Sequence, residues 1–363
     1  MQGATHRWNR IAAVLAACGL IASMGACGQN KQSAEPVEPP AEPAGPITVV
    51  ASVNQWGSLA AQIGGDDVAV TSIVDTTAVD AHDFEPQPAD MAALQDAQVV
   101  VSNGAGYDAW ATKSMGPQTA SVSAAETVGA SEGDNPHLWF SKDARNGMAT
   151  ELADAFSRIL PDKKDDFQKR LDQWQEREQQ LEDSMDAFRQ AHPDATYAAT
   201  ESVAYYLLSD LGFEDLTPEG YAQASANESE PAPADLQQFQ ELVESQGVDL
   251  LVNNVQQGGD AANMITGTAG RANVPVFDVS EQMPEEFDDP TDWIASLVQT
   301  ISGLLPADAP SDADDADEAD STADDAAGEG TGSADGQDTA GDTSAPSNEG
   351  QQDPGRRPSA DRH

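Results

Sequence analysis

The chain carries five histidines, and two of them sit in turns built for chemistry. His82 lies in Asp80-Ala81-His82-Asp83-Phe84-Glu85-Pro86, and His137 in Asn135-Pro136-His137-Leu138-Trp139. His6 belongs to an N-terminal leader and His363 ends the chain. An imidazole can accept a proton, hydrogen-bond within a core or bind a metal. A single histidine is more often structural or solvated, but scarcity and company favour a site here. Two acidic residues, Glu201 and Glu281, follow predicted strands in the second half. Two neutral imidazoles and two carboxylates match the charge of a divalent cation, with donors suited to zinc, manganese or ferrous iron. Taken one at a time, each glutamate reads as an ordinary solvated surface residue.

The elements that must bring these residues together alternate. In the first half, strands are expected at 47–52, 68–74 and 98–102, each an apolar run. Between them, one helix runs through Trp56, Leu59 and Ile63 with Asn54 as its cap. Another opens at Pro88 and carries Met91, Leu94 and Ala97 on one face. Gly104-Ala105-Gly106 makes a turn into Tyr107-Asp108. After His137, Ser141 caps a helix whose inner face holds Met148, Leu152, Ala155 and Ile159. Then Phe167, Leu171, Trp174, Leu181, Met185 and Phe188 draw a narrow apolar stripe along one long helix. The second half repeats the alternation: strands at 196–200, 248–253 and 274–280, helices at 203–211, 234–245, 261–272 and 292–305. No element is assigned within 214–233. Apolar strands alternating with helices imply parallel sheets covered on both faces. In such sheets ligands bind beyond the carboxyl ends of the strands. His82, Glu201 and Glu281 all fall there, and His137 lies in a connection of the first half.

The two ends differ from this middle. Residues 1–10 are polar with Arg7 and Arg10, residues 11–22 are apolar and small, and Ser23-Met24-Gly25-Ala26 leads to Cys27. That is the layout of a secretory signal peptide, and the cysteine after small residues resembles the lipobox of bacterial lipoproteins. With residues 1–26 removed and Cys27 acylated, no cysteine is left for a disulfide, so the exported domain relies on its core. The Pro/Glu-rich stretch up to residue 46 reads as a tether. Residues 306–363 are mainly Asp, Ala, Gly, Ser and Thr and are expected to be disordered. They contribute much of the net charge of −46. No basic patch points to nucleic acid.

Between Ile47 and Leu305 the chain resembles the metal-specific solute-binding lipoproteins of bacterial ABC importers, of the zinc and manganese type. The resemblance is carried by the His82 and His137 turns, Asn103-Gly104-Ala105-Gly106-Tyr107-Asp108, Thr200-Glu201-Ser202 and Val274-Pro275-Val276. It implies an α/β fold of two lobes, each a mostly parallel sheet covered by helices, bridged by one long helix with a metal between the lobes. The corresponding divisions are a first lobe at 47–160, a linking helix at 161–192 and a second lobe at 193–305. It implies ligand roles for His82, His137 and Glu201. The fourth ligand, an acidic residue after the Val-Pro-Val strand, points to Glu281, with Asp278 as rival. Zinc members often have a histidine where Glu201 stands and a His-rich loop, and this chain has neither, so the metal, Zn²⁺, Mn²⁺ or Fe²⁺, stays open. The resemblance further implies a monomer on the outer face of the cell membrane, held through acylated Cys27, handing its ion to an ABC permease. There are two alternatives: a secreted zinc-dependent hydrolase, and a surface adhesin that uses the same fold and tethers. A catalytic zinc needs an open position for water and a nearby base, and the chain has no His-Glu-x-x-His pattern.

Overall fold

A computed structural model describes residues 45–79 and 84–306. Cys27, His82 and the acidic C-terminal segment lie outside the described residues. The first half runs β1 (Ile47–Val53), α1 (Asn54–Gly64), β2 (Val68–Val74), α2 (Pro88–Asp96), β3 (Val99–Ser102), α3 (Ala109–Lys113), β4 (Ala120–Ser123), α4 (Ala124–Val128) and α5 (Lys142–Ile159). A long helix follows, α6 (Lys164–Ala191). The second half runs β5 (Thr196–Ala199), α7 (Tyr205–Asp210), β6 (Glu214–Asp215), α8 (Glu219–Ala226), α9 (Pro233–Glu244), β7 (Leu250–Asn254), α10 (Asp260–Ala272), β8 (Val276–Val279) and α11 (Pro290–Leu304).

The strands form two four-stranded sheets, ordered β2-β1-β3-β4 and β6-β5-β7-β8. Every pairing between these strands is parallel. β-Branched and small apolar residues suit strands covered on both faces, and β1 and β3 are almost wholly buried. Each sheet has a minor core on one face, around Leu94, Val100 and Ala111 in the first and Phe239, Leu251 and Ile265 in the second. Their other faces share one continuous core. It joins Val49 and Val101 of the first sheet to Leu250 and Val252 of the second through Trp139, Phe156, Trp174 and Trp293.

The apolar stripe of α6 is buried as its spacing requires, and Glu178 fills the gap between Trp174 and Leu181. That carboxylate is 1% exposed and paired with Arg145 of α5, which is 0% exposed. Arg145 Nε donates to Glu178 Oε1 at 2.8 Å, and Nη1 donates to the Trp139 carbonyl at 3.1 Å. Thr291 Oγ1, in the first turn of α11, donates to Glu178 Oε2 at 3.0 Å. Burying two charges is costly unless they are paired and hydrogen-bonded, and here both conditions hold. The pair ties both halves and the His137 turn to one helix.

Local expectations fail where side chains have better partners elsewhere. Asn54 does not cap α1; it is the first helical residue, and its amide donates to the Met283 carbonyl at 2.6 Å, far along the chain. Met91 is 43% exposed, so the inner face of α2 rests on Leu94. Ser141 does cap α5, accepting from the Ala144 N–H. β4, β6, α3, α4 and α8 add to the expected elements. The first two are short and rich in small or charged residues, so neither shows a hydrophobic period.

Candidate metal centre

The second sheet aims three neighbouring strand ends at one spot. Glu201 follows β5, Asn254 ends β7 and Glu281 follows β8, and β7 lies between the other two. Parallel strands with paired registers, Asn254 opposite Val279, bring these ends level. Both glutamates are buried. Asn254 Nδ2 donates to Glu201 Oε2 at 2.6 Å and to Glu281 Oε1 at 3.0 Å. Asp278, the rival for the fourth position, sits within β8 on its exposed face, where it accepts from Asn253 Nδ2 at 2.8 Å.

The first half supplies His137 from a turn braced on several sides. Asn103 Nδ2 donates to the Pro136 carbonyl at 2.7 Å, and Tyr206 Oη to the Asn135 carbonyl at 2.9 Å. Asn135 Nδ2 donates to the carbonyl of Ser202, next to Glu201, at 2.7 Å. That leaves Asn135 Oδ1 as acceptor, 2.9 Å from His137 Nδ1. Nδ1 therefore carries the proton, and Nε2 presents its lone pair, an orientation typical of metal-binding histidines. Nε2 lies 3.9 Å from Glu281 Oε2. One ligand atom from each of His137, Glu201 and Glu281 falls within 4.8 Å of the other two. Donors at roughly 2.1 Å around a tetrahedral ion are about 3.4 Å apart, so the three ligand atoms must draw closer to share one ion.

The Gly104-Ala105-Gly106 turn places Tyr107 beside them. All three residues have positive φ, and a Cβ on Gly104 would meet the Ala125 Cβ at 2.6 Å. Asp108, buried beneath, accepts from the backbone N–H of Asn103 at 2.6 Å and of Gly104 at 2.8 Å. Burial still holds its carboxyl above the ordinary value. Tyr107 Oη donates to Glu281 Oε2 at 2.9 Å. Burial, with the Glu281 carboxylate beside it, pushes this phenol well above its usual range and keeps it a donor. On the other side, burial and the Glu201 charge push the Tyr221 phenol up to about 12.

Sequence reasoning assigned no role to Tyr107, Asn254 or Gln256. Asn254 and Gln256 follow the strand-end rule that picked out the glutamates, so the signal was present for them. Gln256 Oε1 accepts from the Glu281 N–H at 2.6 Å, while its Nε2 donates to the carbonyls of Thr77 at 2.9 Å and Val79 at 3.3 Å. Thr77 and Val79 lie in the segment between β2 and α2.

A buried imidazole and two buried carboxylates, held by donors but facing one another, make a site for a cation. The family model for the zinc-uptake complex component A, periplasmic (ZnuA), matches residues 49–304. The chain belongs to the ZnuA family. Among ZnuA-like relatives, the zinc-binding lipoprotein AdcA of Streptococcus pneumoniae is 22% identical over 266 residues, 67% of this chain and 52% of that protein. The manganese-binding lipoprotein MntA of Bacillus subtilis is 29% identical over 147 residues, 38% of this chain and 48% of that one. The chain thus spans about half the length of these relatives or less. Among solved structures, FpvC of Pseudomonas aeruginosa in complex with Mn²⁺ superimposes with a TM-score of 0.60 at 18% identity, covering 72% of this chain and 98% of that one. The laminin-binding protein Lmb of Streptococcus agalactiae, described as a bifunctional adhesin and metal transporter, gives 0.59 at 20% identity, covering 72% and 99%. The ZnuA-like fold, two helix-covered parallel sheets, is that of these neighbours. The family is one of solute-binding proteins. No helix among the described residues is long and apolar enough to cross a membrane.

Proposed function

We propose that this chain captures one divalent transition metal, zinc or manganese, between its two sheets and delivers it to an ABC permease. The observation that carries this reading is the buried trio His137, Glu201 and Glu281, with ligand atoms within 4.8 Å of one another. Two carboxylate charges buried side by side repel, and a divalent ion cancels both at once. His82 completes the ligand set in this reading. The names of the relatives, zinc-binding and manganese-binding, favour the same cargo. The domain limits 47–160, 161–192 and 193–305, acylation at Cys27, anchoring at the outer face of the membrane and a monomeric state belong to the same proposal.

The test is elemental analysis of protein purified from its own host without chelators, followed by calorimetry with zinc and manganese on the metal-stripped protein. The expected result is one tightly bound ion per chain, lost in His137→Ala. Tight binding that survives His137→Ala would overturn the site. A hydrolase reading would need turnover that depends on the same residues, which an esterase and phosphatase panel on the loaded protein reads directly.

A further inference from the structure

We propose that Asn254 is a specificity-determining residue: its amide restrains Glu201 and Glu281 to one donor oxygen each, which makes the site select zinc over manganese. The inference rests on the metal-capture reading above and concerns how that site holds its ion.

β7 is the strand between β5 and β8, so its last residue is flanked by the two glutamates that follow those strands. Asn254 is 2% exposed there. Its orientation is fixed by the backbone, because Oδ1 accepts from the Gln256 N–H at 2.9 Å. Nδ2 must then face the carboxylates, and its two hydrogens meet one oxygen of each, at 2.6 Å and 3.0 Å. Hydrogen bonds to ionised acceptors are the strong ones.

Glu281 is restrained further. Its second oxygen accepts from Tyr107 Oη, and that hydroxyl accepts from Gln282 Nε2 at 2.9 Å, which directs the phenol proton to Glu281. Its backbone N–H is held by Gln256. Turning either carboxylate to grip an ion with both oxygens pulls an oxygen off the Asn254 amide and leaves a buried donor unmatched. Zinc is satisfied by four ligands with one oxygen from each carboxylate, whereas manganese favours more oxygens. The restraint therefore weighs on manganese more than on zinc.

The test uses the acylation-free mature protein with Co²⁺, Zn²⁺ and Mn²⁺ as probes, in native form and as Asn254→Leu and Asn254→Ala. Four-coordinate Co²⁺ absorbs strongly in the visible region and six-coordinate Co²⁺ weakly. The native protein is expected to show the strong bands. In the variants the bands weaken, and competition titrations show the zinc-to-manganese affinity ratio falling by about tenfold, within the roughly 10- to 100-fold by which a partner of a metal ligand changes affinity. A general loss of fold lowers both affinities and leaves the ratio. An unchanged ratio and spectrum in both variants overturns the role of Asn254, and so does a native Co²⁺ spectrum of six-coordinate type, which needs no variant to fold. Failure of the native protein to bind any of the three ions overturns the capture reading itself.

Discussion

The two halves of the metal centre are built on different plans. The first half presents His137 from the turn between α4 and α5, held by Asn135 of the same turn and by side chains that reach in from Asn103 and Tyr206. The second half presents Glu201, Asn254 and Glu281 from adjacent strand ends, held by the sheet itself. A turn can orient one ring nitrogen with a dedicated partner. A sheet edge sets several side chains at fixed spacing, which suits carboxylates that must share one ion. The halves are not independent bodies. Asn54 and Gln55 of α1 donate to the carbonyls of Met283 and Glu281, and Arg177 of α6 pairs with Asp289 at 2.6 Å. The segment that carries Glu281 is thus fastened to a helix of the first half.

The largest expected effect comes from cutting the joint between the halves. Arg145→Met leaves Glu178 charged and buried without its partner, so equilibrium unfolding of the metal-free protein should show a loss of about 3–5 kcal/mol. A loss below roughly 1 kcal/mol, the scale of a surface pair, would show that Arg145 and Glu178 do not join the halves.

Next comes the ligand from the turn. His137→Ala should weaken zinc and manganese binding by more than about 100-fold, or about 2.7 kcal/mol, in calorimetry at fixed pH and salt. Metal-free stability should change less, because the turn keeps its braces. Equal losses in binding and stability would mean that the turn, and not the ring, is what the site requires.

A smaller and more selective effect is expected from the sheet side. Glu201→His exchanges an oxygen donor for nitrogen and removes a negative charge. Manganese should lose more than zinc, raising the zinc-to-manganese ratio by about tenfold. A ratio that stays level or falls would remove Glu201 from the coordination shell.

The smallest effect tests whether anything beyond the two halves contributes. Deleting residues 307–363 should leave tight binding unchanged, since dispersed carboxylates attract ions only weakly through salt-screened solvent. A lost tight site would move part of the coordination into the acidic segment.

The same contrast governs what could be read from the sequence. His137 stands out by type and setting, and the stripe of α6 stands out by period, because few residues can fill those places. Glu201 and Glu281 are common residues, legible only once strands are assigned and ligands are expected beyond their carboxyl ends. Asn254 obeys the same strand-end rule, but its role depends on strand order: only with β7 between β5 and β8 does one amide reach both glutamates. Glu178 was hidden for a similar reason. A carboxylate within an apolar stripe reads as a solvated interruption until Arg145 is placed against it. Asn54 shows the reverse, a strong local capping signal overridden by the distant Met283 carbonyl.

The central claim, a single ion shared between the two halves, is tested most directly by diffraction from metal-loaded crystals at the zinc and manganese absorption edges. The account predicts one anomalous peak about 2.0–2.2 Å from His137 Nε2 and from one oxygen of each of Glu201 and Glu281. A peak bound by Asp278 in place of Glu281, or one that touches only one half of the site, would contradict it.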